Sequence, residues 1–187
     1  LLHHIDAGII AAKPVPELIK ETIHELRELI PCQRIAVILV DEVTQELVIY
    51  AEDSDVENPF NTMRLPPSPD LFATFAVDHT CYYEDLREVQ DRYDFAKNAI
   101  KRGLLSLFQV EFILDGHPVG LLNLSAKDIG FFTPEYREIA VEVTNQLAIV
   151  MKQLQASENI QTANINLERY AQRMEILHNI DRGIIAS

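Results

Sequence analysis

Two apolar runs joined by Asp115-Gly116 form the most strongly patterned stretch of the chain, between residues 103 and 126. In the first run, apolar and polar side chains alternate: Phe108 and Val110 fall on one face, whereas Gln109 and Glu111 fall on the other. A two-residue period is typical of a strand with one buried face. The Asp-Gly dipeptide favours a two-residue hairpin turn, because both residue types tolerate a positive φ. The stretch therefore predicts a β-hairpin.

The second arm of this hairpin, residues 118–126, is apolar almost throughout, and Asn123 is its main polar interruption. A strand with this composition is typically buried on both faces. Short runs of β-branched or aromatic residues elsewhere predict the strands that extend the hairpin into a sheet. These further strands are expected at residues 34–41, 46–51, 62–65 and 81–85.

Apolar residues at spacings of three and four predict helices that cover the sheet. One helix is predicted between Pro16, which suits a first helical turn, and Pro31, which ends it. Residues 52–70 are rich in Asp, Asn, Pro and Ser, and they predict a loop that helps to form a pocket mouth. Gly103 is a natural left-handed stop for a helix. Two shorter helices are expected, at residues 71–76 and 94–102.

A long helix is predicted from Pro134 onward, with Thr133 as its N-cap. No Gly or Pro interrupts the helical pattern before Gly183, and its second half repeats apolar residues every seven positions. Because such a heptad repeat is typical of a coiled coil, we expect a homodimer formed through the terminal helices. A break in the register of the repeat is expected near residues 157–160. The predicted seam consists of Leu147, Val150, Leu154, Ile160, Leu167, Tyr170 and Met174.

The two ends of the chain are similar to each other. Residues 1–12 read LLHHIDAGIIAA and residues 176–187 read ILHNIDRGIIAS, with eight identities at a constant offset of 175 residues. Such self-similarity predicts a tandem array of domains, and the absence of an initial Met leads us to expect a segment of a longer protein. The expected divisions are the end of an incoming helix (1–13), a domain (14–152), a coiled-coil linker helix (153–175) and the start of a second repeat (176–187).

Composition narrows the classes of function. A formal net charge of −13 argues against a surface for nucleic acid, because nothing would offset phosphate repulsion. No apolar run approaches the roughly 18 residues needed to cross a bilayer, so no direct membrane contact is expected. The two cysteines, Cys32 and Cys81, lack metal-ligand and C-x-x-C spacing, and they indicate a reducing compartment such as the cytoplasm.

The order of elements and the local sequence resemble the GAF domain family over about residues 14–152. The resemblance implies an α+β, GAF/PAS-like fold, in which helices flank a central six-stranded antiparallel sheet, followed here by a long C-terminal coiled-coil helix. It rests on an ordered set of stretches: RGLLS at 102–106 ahead of VEF at 110–112, GLLNL at 120–124, FTPE at 132–135 and QLA at 146–148.

A tandem repeat with a coiled-coil linker is similar to the sensor arrays of histidine kinases. The resemblance therefore implies a non-catalytic sensory domain. Such a domain binds a small ligand or a partner and relays the signal through a dimeric helix to an output domain, such as a histidine kinase.

The ligand motifs of the family are mostly missing here, so the cofactor stays unknown. Bilin-binding members carry a cysteine in the segment before the central hairpin, but residues 93–102 contain none, and Cys81 lies too early. This difference argues against a covalent bilin. The cyclic-nucleotide signature is degraded, because Asn123 is followed by Leu124 and no Asp-Glu pair follows Phe132.

In the family, a small-molecule pocket lies on one face of the sheet and is closed by the loop and short helix before the central hairpin. The resemblance places several aromatic residues near this pocket, with His79 as a polar anchor. The alternative interpretation is that the aromatic side chains only fill the core. The candidate ligand-binding residues are Tyr50, Phe72, Phe75, His79, Tyr83, Phe95 and Phe108.

Two other functions stay open. One is a ligand-free dimerisation spacer in a signalling array. The other, from the enzyme class, is a thiol redox enzyme of the methionine sulfoxide reductase type, with chemistry at Cys81. We predict neither a catalytic residue nor a metal ligand.

Two histidine-containing segments favour a surface role over a chemical one. The residues around His24 resemble the phosphoacceptor box of histidine kinases, but no nucleotide-binding box follows, which favours a solvated helix face. His3, His4 and Asp6 favour a helix surface over a metal site, because the terminal repeat has Asn179 in place of the second histidine.

Overall fold

Strand pairing places the predicted hairpin inside an antiparallel sheet. The computed structural model describes residues 14–41, 43–57, 64–65, 75 and 78–185. The strands are β1 (Arg34–Val40), β2 (Leu47–Ser54), β3 (Arg64–Leu65), β4 (Thr80–Tyr83), β5 (Ser106–Leu114) and β6 (His117–Ala126). Their order in the sheet is β3-β2-β1-β6-β5-β4, so the hairpin arms β5 and β6 are both internal.

The α+β fold with a flanked antiparallel sheet is confirmed. Five strands have four or more residues, and β3 adds a pairing of only two residues to the outer edge of β2. The hairpin turn is also confirmed, because Asp115 and Gly116 both have positive φ, at 50° and 82°. Two consecutive positive φ angles match the right-handed twist of the flanking strands.

Among the described residues, three helices accompany the sheet, together with a 3₁₀ turn at Leu86–Glu88. The helix boundaries follow local chemistry. The backbone N–H of Tyr136 donates to Thr133 Oγ1 at 3.3 Å, which is the predicted N-cap bond. Gly103, with a φ of 76°, lies just after the second helix, as predicted. The helices are α1 (Val15–Leu29), α2 (Asp94–Ile100) and α3 (Pro134–Ile185).

One face of the sheet is covered by α1 and the first turns of α3. The buried side of α1 consists of Leu18, Ile19, Thr22, Ile23 and Leu26. Leu18 packs against Val150 of α3, and Phe108 of β5 lies 6.2 Å from Phe132, ring centre to ring centre, at the start of α3. This face is therefore an ordinary apolar core.

The opposite face is covered by α2. Ala96 and Ala99 of α2 are buried in a cluster with Leu86, Leu104 and Leu107. A second buried cluster on this face contains Ala36, Ile38, Leu47 and Leu121. Together the three layers are helices, sheet and helix, with the sheet in the centre.

The long helix spans two compact units, residues 1–150 and 151–187. Leu147 and Val150 are buried within the first unit, at 0% and 1% exposure, so they belong to its core and not to a seam facing a partner. This corrects their predicted place. Further along α3, three seam residues are exposed: Ile160, Leu167 and Tyr170, at 63%, 65% and 68%.

The side chains of Leu154 and Met174 lie outside the part of the chain that the structure describes. Residues 1–13 and the expected helix at 71–76 also lie outside it, except for Phe75. The coiled-coil pairing, the terminal repeat and the divisions based on it stay predictions.

Ion pairs connect α1 to β2 at the surface. Arg27 of α1 pairs with both Asp53 and Asp55, and His24 Nδ1 lies 2.7 Å from Asp53 Oδ2. The His24 side chain is 69% exposed. His24 therefore lies on the solvated face of its helix, as the alternative to the phosphoacceptor interpretation predicts.

We predict that the pKa of His24 lies above its ordinary value of 6.5, because its hydrogen bond to Asp53 favours the protonated ring. The pair then stabilises the fold at low pH, and this contribution is lost as the pH rises through the folded-state pKa. An NMR titration of the imidazole signals measures the shift. Asp53→Asn should return the pKa toward 6.5, whereas Asp55→Asn should leave it raised. An unchanged pKa in Asp53→Asn would contradict the assignment.

Candidate functional site

A cavity lies between the sheet and α2. Its volume is about 60 Å³. The sheet supplies its floor through β1, β2, β5 and β6, and α2 supplies one wall. The lining residues are Arg34, Ile38, Leu47, Ile49, Phe95, Asn98, Ala99, Leu104, Leu107, Asn123 and Ser125.

The strand register explains why polar residues meet on this face of the sheet. Leu107 pairs with Ser125, which pairs with Arg34, so the three residues lie side by side across β5, β6 and β1. Two residues further along β5, Gln109 pairs with Asn123 of β6. Alternation along each strand then puts both rows on the α2 side. We call Arg34, Glu52, Gln109, Asn123 and Ser125 the polar belt.

The polar belt crosses the sheet between the two apolar clusters of the α2 side. Arg34, Gln109 and Ser125 are 4%, 5% and 3% exposed. Burial of polar side chains between apolar clusters is costly unless their hydrogen-bonding groups find partners. The belt is therefore the part of this face that packing alone does not explain.

The charged members of the belt form a buried ion pair. Arg34 Nε donates to Glu52 Oε1 at 2.7 Å, and the two side chains are 5% and 6% exposed. Burial lowers the pKa of the Arg34 guanidinium, and the neighbouring Glu52 carboxylate opposes that shift. Within the polar belt, the charge of Arg34 is therefore balanced by that of Glu52.

The amides near the cavity have unused hydrogen-bonding capacity. Ser125 Oγ donates to Asn123 Oδ1 at 3.2 Å. Within the described ranges, the Nδ2 group of Asn123 and the side-chain amides of Asn98 and Gln109 have no hydrogen-bond partner. Asn98 and Asn123 line the cavity from α2 and from the sheet, respectively. A molecule in the cavity therefore meets free donors and acceptors on two sides.

His79 lies at the edge of the same sheet face. It has a positive φ of 60°, and its carbonyl accepts from the backbone N–H of Glu111 at 2.9 Å. Its Nδ1 also lies 2.8 Å from Glu111 Oε2, a carboxylate whose side chain is only 5% exposed. His79 thus anchors the start of β4 to a buried acid. It is not among the lining residues of the cavity, so the proposed role as a polar anchor for a ligand has no support from its position.

Phe95 alone among the described aromatic candidates lines the cavity. Tyr83 packs against Phe95, with ring centres 5.5 Å apart, in the cluster behind the cavity wall. Phe75 packs against the cluster of Ile38 and Leu47 at the other end. Tyr50 is partly buried in β2, and Phe72 lies outside the described residues.

Phe108 lies on the wrong face for this cavity. Its ring packs in the α3 layer, 6.2 Å from the rings of Tyr82 and Phe132, and it is 2% exposed. The reason is the two-residue period of β5, because its neighbour Leu107 faces the cavity instead. Phe108 therefore packs in the α3 layer and does not line this cavity, and a role for it in ligand binding stays a prediction.

The sequence pattern did contain a signal for the residues that were missed. Gln109, Glu111 and Asn123 interrupt otherwise apolar strands, and Arg34 opens a β-branched run. A polar residue inside a strand that packing buries on both sides indicates a local polar partner or ligand. Asn98 gave no such signal, because a polar residue on a short helix is usually solvated.

The α3 side also has an open groove, with a volume of about 440 Å³, where β4 and Phe108 meet the first turns of α3. There the guanidinium of Arg137 lies over the Tyr82 ring, 5.1 Å from its centre. This cation–π contact connects β4 to α3.

Neither thiol is placed for exchange with the other. Burial raises the pKa of Cys32 to about 12, so its reactive thiolate is scarce at neutral pH. Cys81 lies on β4, and two strands separate β4 from β1, which Cys32 precedes. Three interstrand spacings amount to about 14 Å. A disulfide requires Cα atoms within about 7 Å. Among the residues that the structure describes, no group of three or more His, Cys, Asp or Glu is arranged to hold a metal ion.

Comparison with known proteins gives a consistent picture of the fold. The family model described as "GAF domain" matches residues 12–152, well over half of the chain. The chain is similar to the phycoerythrobilin-bound GAF domain from a cyanobacterial phytochrome, with a TM-score of 0.71 and 14% identity, over 84% of this chain and 95% of that one. It is also similar to a domain assigned to a two-component sensor histidine kinase from Sinorhizobium meliloti 1021, with a TM-score of 0.66 and 13% identity, over 80% of this chain and 98% of that one.

A third similar structure is the bacteriophytochrome RpBphP3 from the photosynthetic bacterium R. palustris, with a TM-score of 0.67 and 13% identity. The match covers 85% of this chain but only 38% of that one. At such identities the likeness establishes the fold alone. No match is found among curated proteins. Within the described ranges, none of the helices combines the length and apolar character that a membrane span requires.

We predict that Arg34 and Glu52 stabilise the fold only as a pair. Arg34→Met removes the ion-pair partner of a Glu52 carboxylate that is only 6% exposed, and we expect a loss of about 3–5 kcal/mol of unfolding free energy. The double variant Arg34→Met/Glu52→Leu should recover most of that loss, because both charges are then absent. Guanidinium chloride unfolding of the two single variants and the double variant measures the coupling. Additive effects of the two substitutions would show that the charges do not depend on each other.

Proposed function

The chain belongs to the GAF domain family, and we propose that it is a non-catalytic sensory domain. In this proposal, a small molecule binds in the cavity between the sheet and α2, and α3 relays its presence to an output domain. The single observation that carries the proposal is the polar belt. Its half-buried Asn123 amide lines the cavity, and within the described residues the Nδ2 group of that amide has no hydrogen-bond partner.

A ligand explains the polar belt better than packing does. An apolar residue at Asn123 or Gln109 would extend the neighbouring clusters without any cost in polar desolvation. Binding sites in proteins combine apolar walls with a few placed polar groups, and this cavity has that composition. Its position, walled by the helix that precedes the central hairpin, also agrees with the pocket of the family.

Contacts at the start of α3 support a relay. The β4 and β5 strands touch α3 through Tyr82 beneath Arg137 and through Phe108 beside Phe132. The same β5 strand contributes Leu107 to the cavity. A shift of β5 on binding would therefore be felt at the first turns of α3, in the manner of helix shifts at packed interfaces.

Exposed apolar residues on α3 support a homodimer. Ile160 and Leu167 are seven residues apart, and Tyr170 follows three residues later, which is the spacing of a heptad seam. Large apolar side chains that are exposed at a heptad spacing are best buried by packing against the same helix of a second copy. An output domain, such as a histidine kinase, would then receive the signal as a change in the paired helices.

A ligand-free spacer is the second candidate. The observation in its favour is the small volume of the cavity, about 60 Å³, beside a stacked group of aromatic rings. In this case, dimerisation through α3 would be the whole function. Thiol redox chemistry is not supported, given the buried Cys32 and its separation from Cys81.

We predict that the exposed seam of α3 mediates dimerisation. Leu167→Glu should shift the chain from dimer to monomer in sedimentation velocity, because a charge in the seam loses its hydration on pairing. The matched control is Ile165→Glu: Ile165 is 44% exposed on the same helix but lies outside the heptad positions, so its variant should stay dimeric. A monomeric wild-type chain, or equal effects of both substitutions, would refute the seam.

We also predict that filling the cavity abolishes ligand binding without unfolding the domain. Ala99→Leu places three further carbon atoms against the cavity, whereas the control Ala148→Leu adds the same atoms to α3. Saturation-transfer NMR with a panel of small polar fragments, including anions, cations and neutral molecules, measures binding. Fragments should bind the wild type and Ala148→Leu but not Ala99→Leu. If no fragment binds to the wild type in a way that Ala99→Leu abolishes, the result would favour the ligand-free spacer.

A further inference from the structure

We infer that the cavity selects a small uncharged molecule that carries a hydrogen-bond donor and acceptor side by side, as a primary carboxamide or a urea does. The inference rests on the proposed function of the cavity as a ligand site, and it names the chemical class of the ligand. Three independent properties of the cavity lead to it: its charge, its free hydrogen-bonding groups and its size.

The charge of the cavity selects against ions. Arg34 and Glu52 are the charged groups of the polar belt, and they neutralise each other across 2.7 Å. Among the lining residues that the structure describes, the other polar groups are the amides of Asn98 and Asn123 and the hydroxyl of Ser125. An anion or a cation would lose its hydration on entering the cavity. The charges of Arg34 and Glu52 would not compensate for this loss, because each is already paired with the other.

The hydrogen-bonding groups select for a complementary amide edge. The Ser125 hydroxyl occupies Asn123 Oδ1, so the free group of Asn123 is its NH₂, a donor that needs a carbonyl oxygen. The Asn98 carboxamide offers both a donor and an acceptor, whichever way its ends are oriented. A carboxamide ligand presents its C=O to Asn123 and its N–H to Asn98, which satisfies groups that the described protein residues leave free.

The size of the cavity limits the ligand to a few atoms. Its volume is about 60 Å³. A dry protein cavity of about 150 Å³ is known to hold one benzene molecule. A ligand that lies wholly inside the cavity is therefore smaller than a six-membered ring.

Three probes of nearly equal size and shape separate the possibilities: acetamide, acetate and acetamidinium differ mainly in charge and in donors. In ¹H–¹⁵N NMR titrations of the full chain, we expect acetamide to move the side-chain NH₂ signals of Asn98 and Asn123 saturably. Its affinity should exceed that of either ion by about tenfold or more, the effect of one well-placed hydrogen bond to a buried partner.

Variants test which groups are responsible. Asn123→Leu should abolish the response to acetamide, and Asn123→Asp should invert the preference toward acetamidinium by supplying a carboxylate of the same shape. The matched control is Asn166→Asp, because Asn166 is exposed on α3 in the second unit and should have no effect. Asn123→Asp keeps the test decisive if Asn123→Leu unfolds, since it preserves the side-chain volume.

Each outcome separates this inference from the proposed function. If acetate or acetamidinium binds more tightly than acetamide and moves the same NH₂ signals, the inference is wrong but the cavity is still a ligand site. If none of the three probes moves those signals while larger fragments bind and are removed by Ala99→Leu, the inference is again overturned and the proposed function stands. If no fragment binds at all, both fail.

Discussion

The burial of polar groups on one face of the central sheet is the constraint on which the rest of this structure depends. The hairpin strands β5 and β6 are internal to the sheet, so each must pack against a helix layer on both of its faces. On the α3 side they do so with apolar packing, through Phe108, Leu122 and Leu124. On the α2 side, the polar belt interrupts that packing, and its cost is offset only where partners exist. Arg34 and Glu52 supply each other's partner, whereas the amides at Asn98 and Asn123 face the cavity.

This asymmetry of the sheet gives the two helix layers different roles. The α2 layer closes a cavity, whereas the α3 layer packs Phe108 of β5 against Phe132, beside the open groove at the first turns of α3. The long helix begins in that core, with Ala140, Val143 and Leu147 buried, and later presents exposed apolar residues. The polar cavity on one side of the sheet and the buried first turns of α3 on the other are therefore connected through the strands that both layers share.

Much of the fold could be predicted from the sequence, because its signals are local. The Asp115-Gly116 turn, the Thr133 cap and the Gly103 stop each depend on the conformation of a few neighbouring residues, and all three are as predicted. The prediction made β2 too short, because the strand continues through Glu52 and Asp53. Their polar side chains are not typical of a strand in a sheet core, but Glu52 pairs with Arg34 on one face and Asp53 pairs with Arg27 on the other.

The site was harder to predict, because it depends on which residues meet across the sheet. Of the predicted aromatic residues, Phe95 lines the cavity, but Phe108 does not. The two-residue period of β5 puts Phe108 on the same face as Val110 and Phe112, and it puts Gln109 on the other face. Leu147 and Val150 were assigned to the coiled coil because the apolar stripe runs on into the heptads. The packing of Val150 on Leu18 shows that the core extends at least to this turn of α3.

The most direct test of the account is a high-resolution crystal structure of the chain soaked with the panel of small polar fragments. The account predicts one fragment ordered in the cavity, with hydrogen bonds to the side-chain amides of Asn98 and Asn123. If the cavity contains only water molecules, or is closed by side chains while fragments bind elsewhere, the polar belt is not a ligand site and the central claim is wrong.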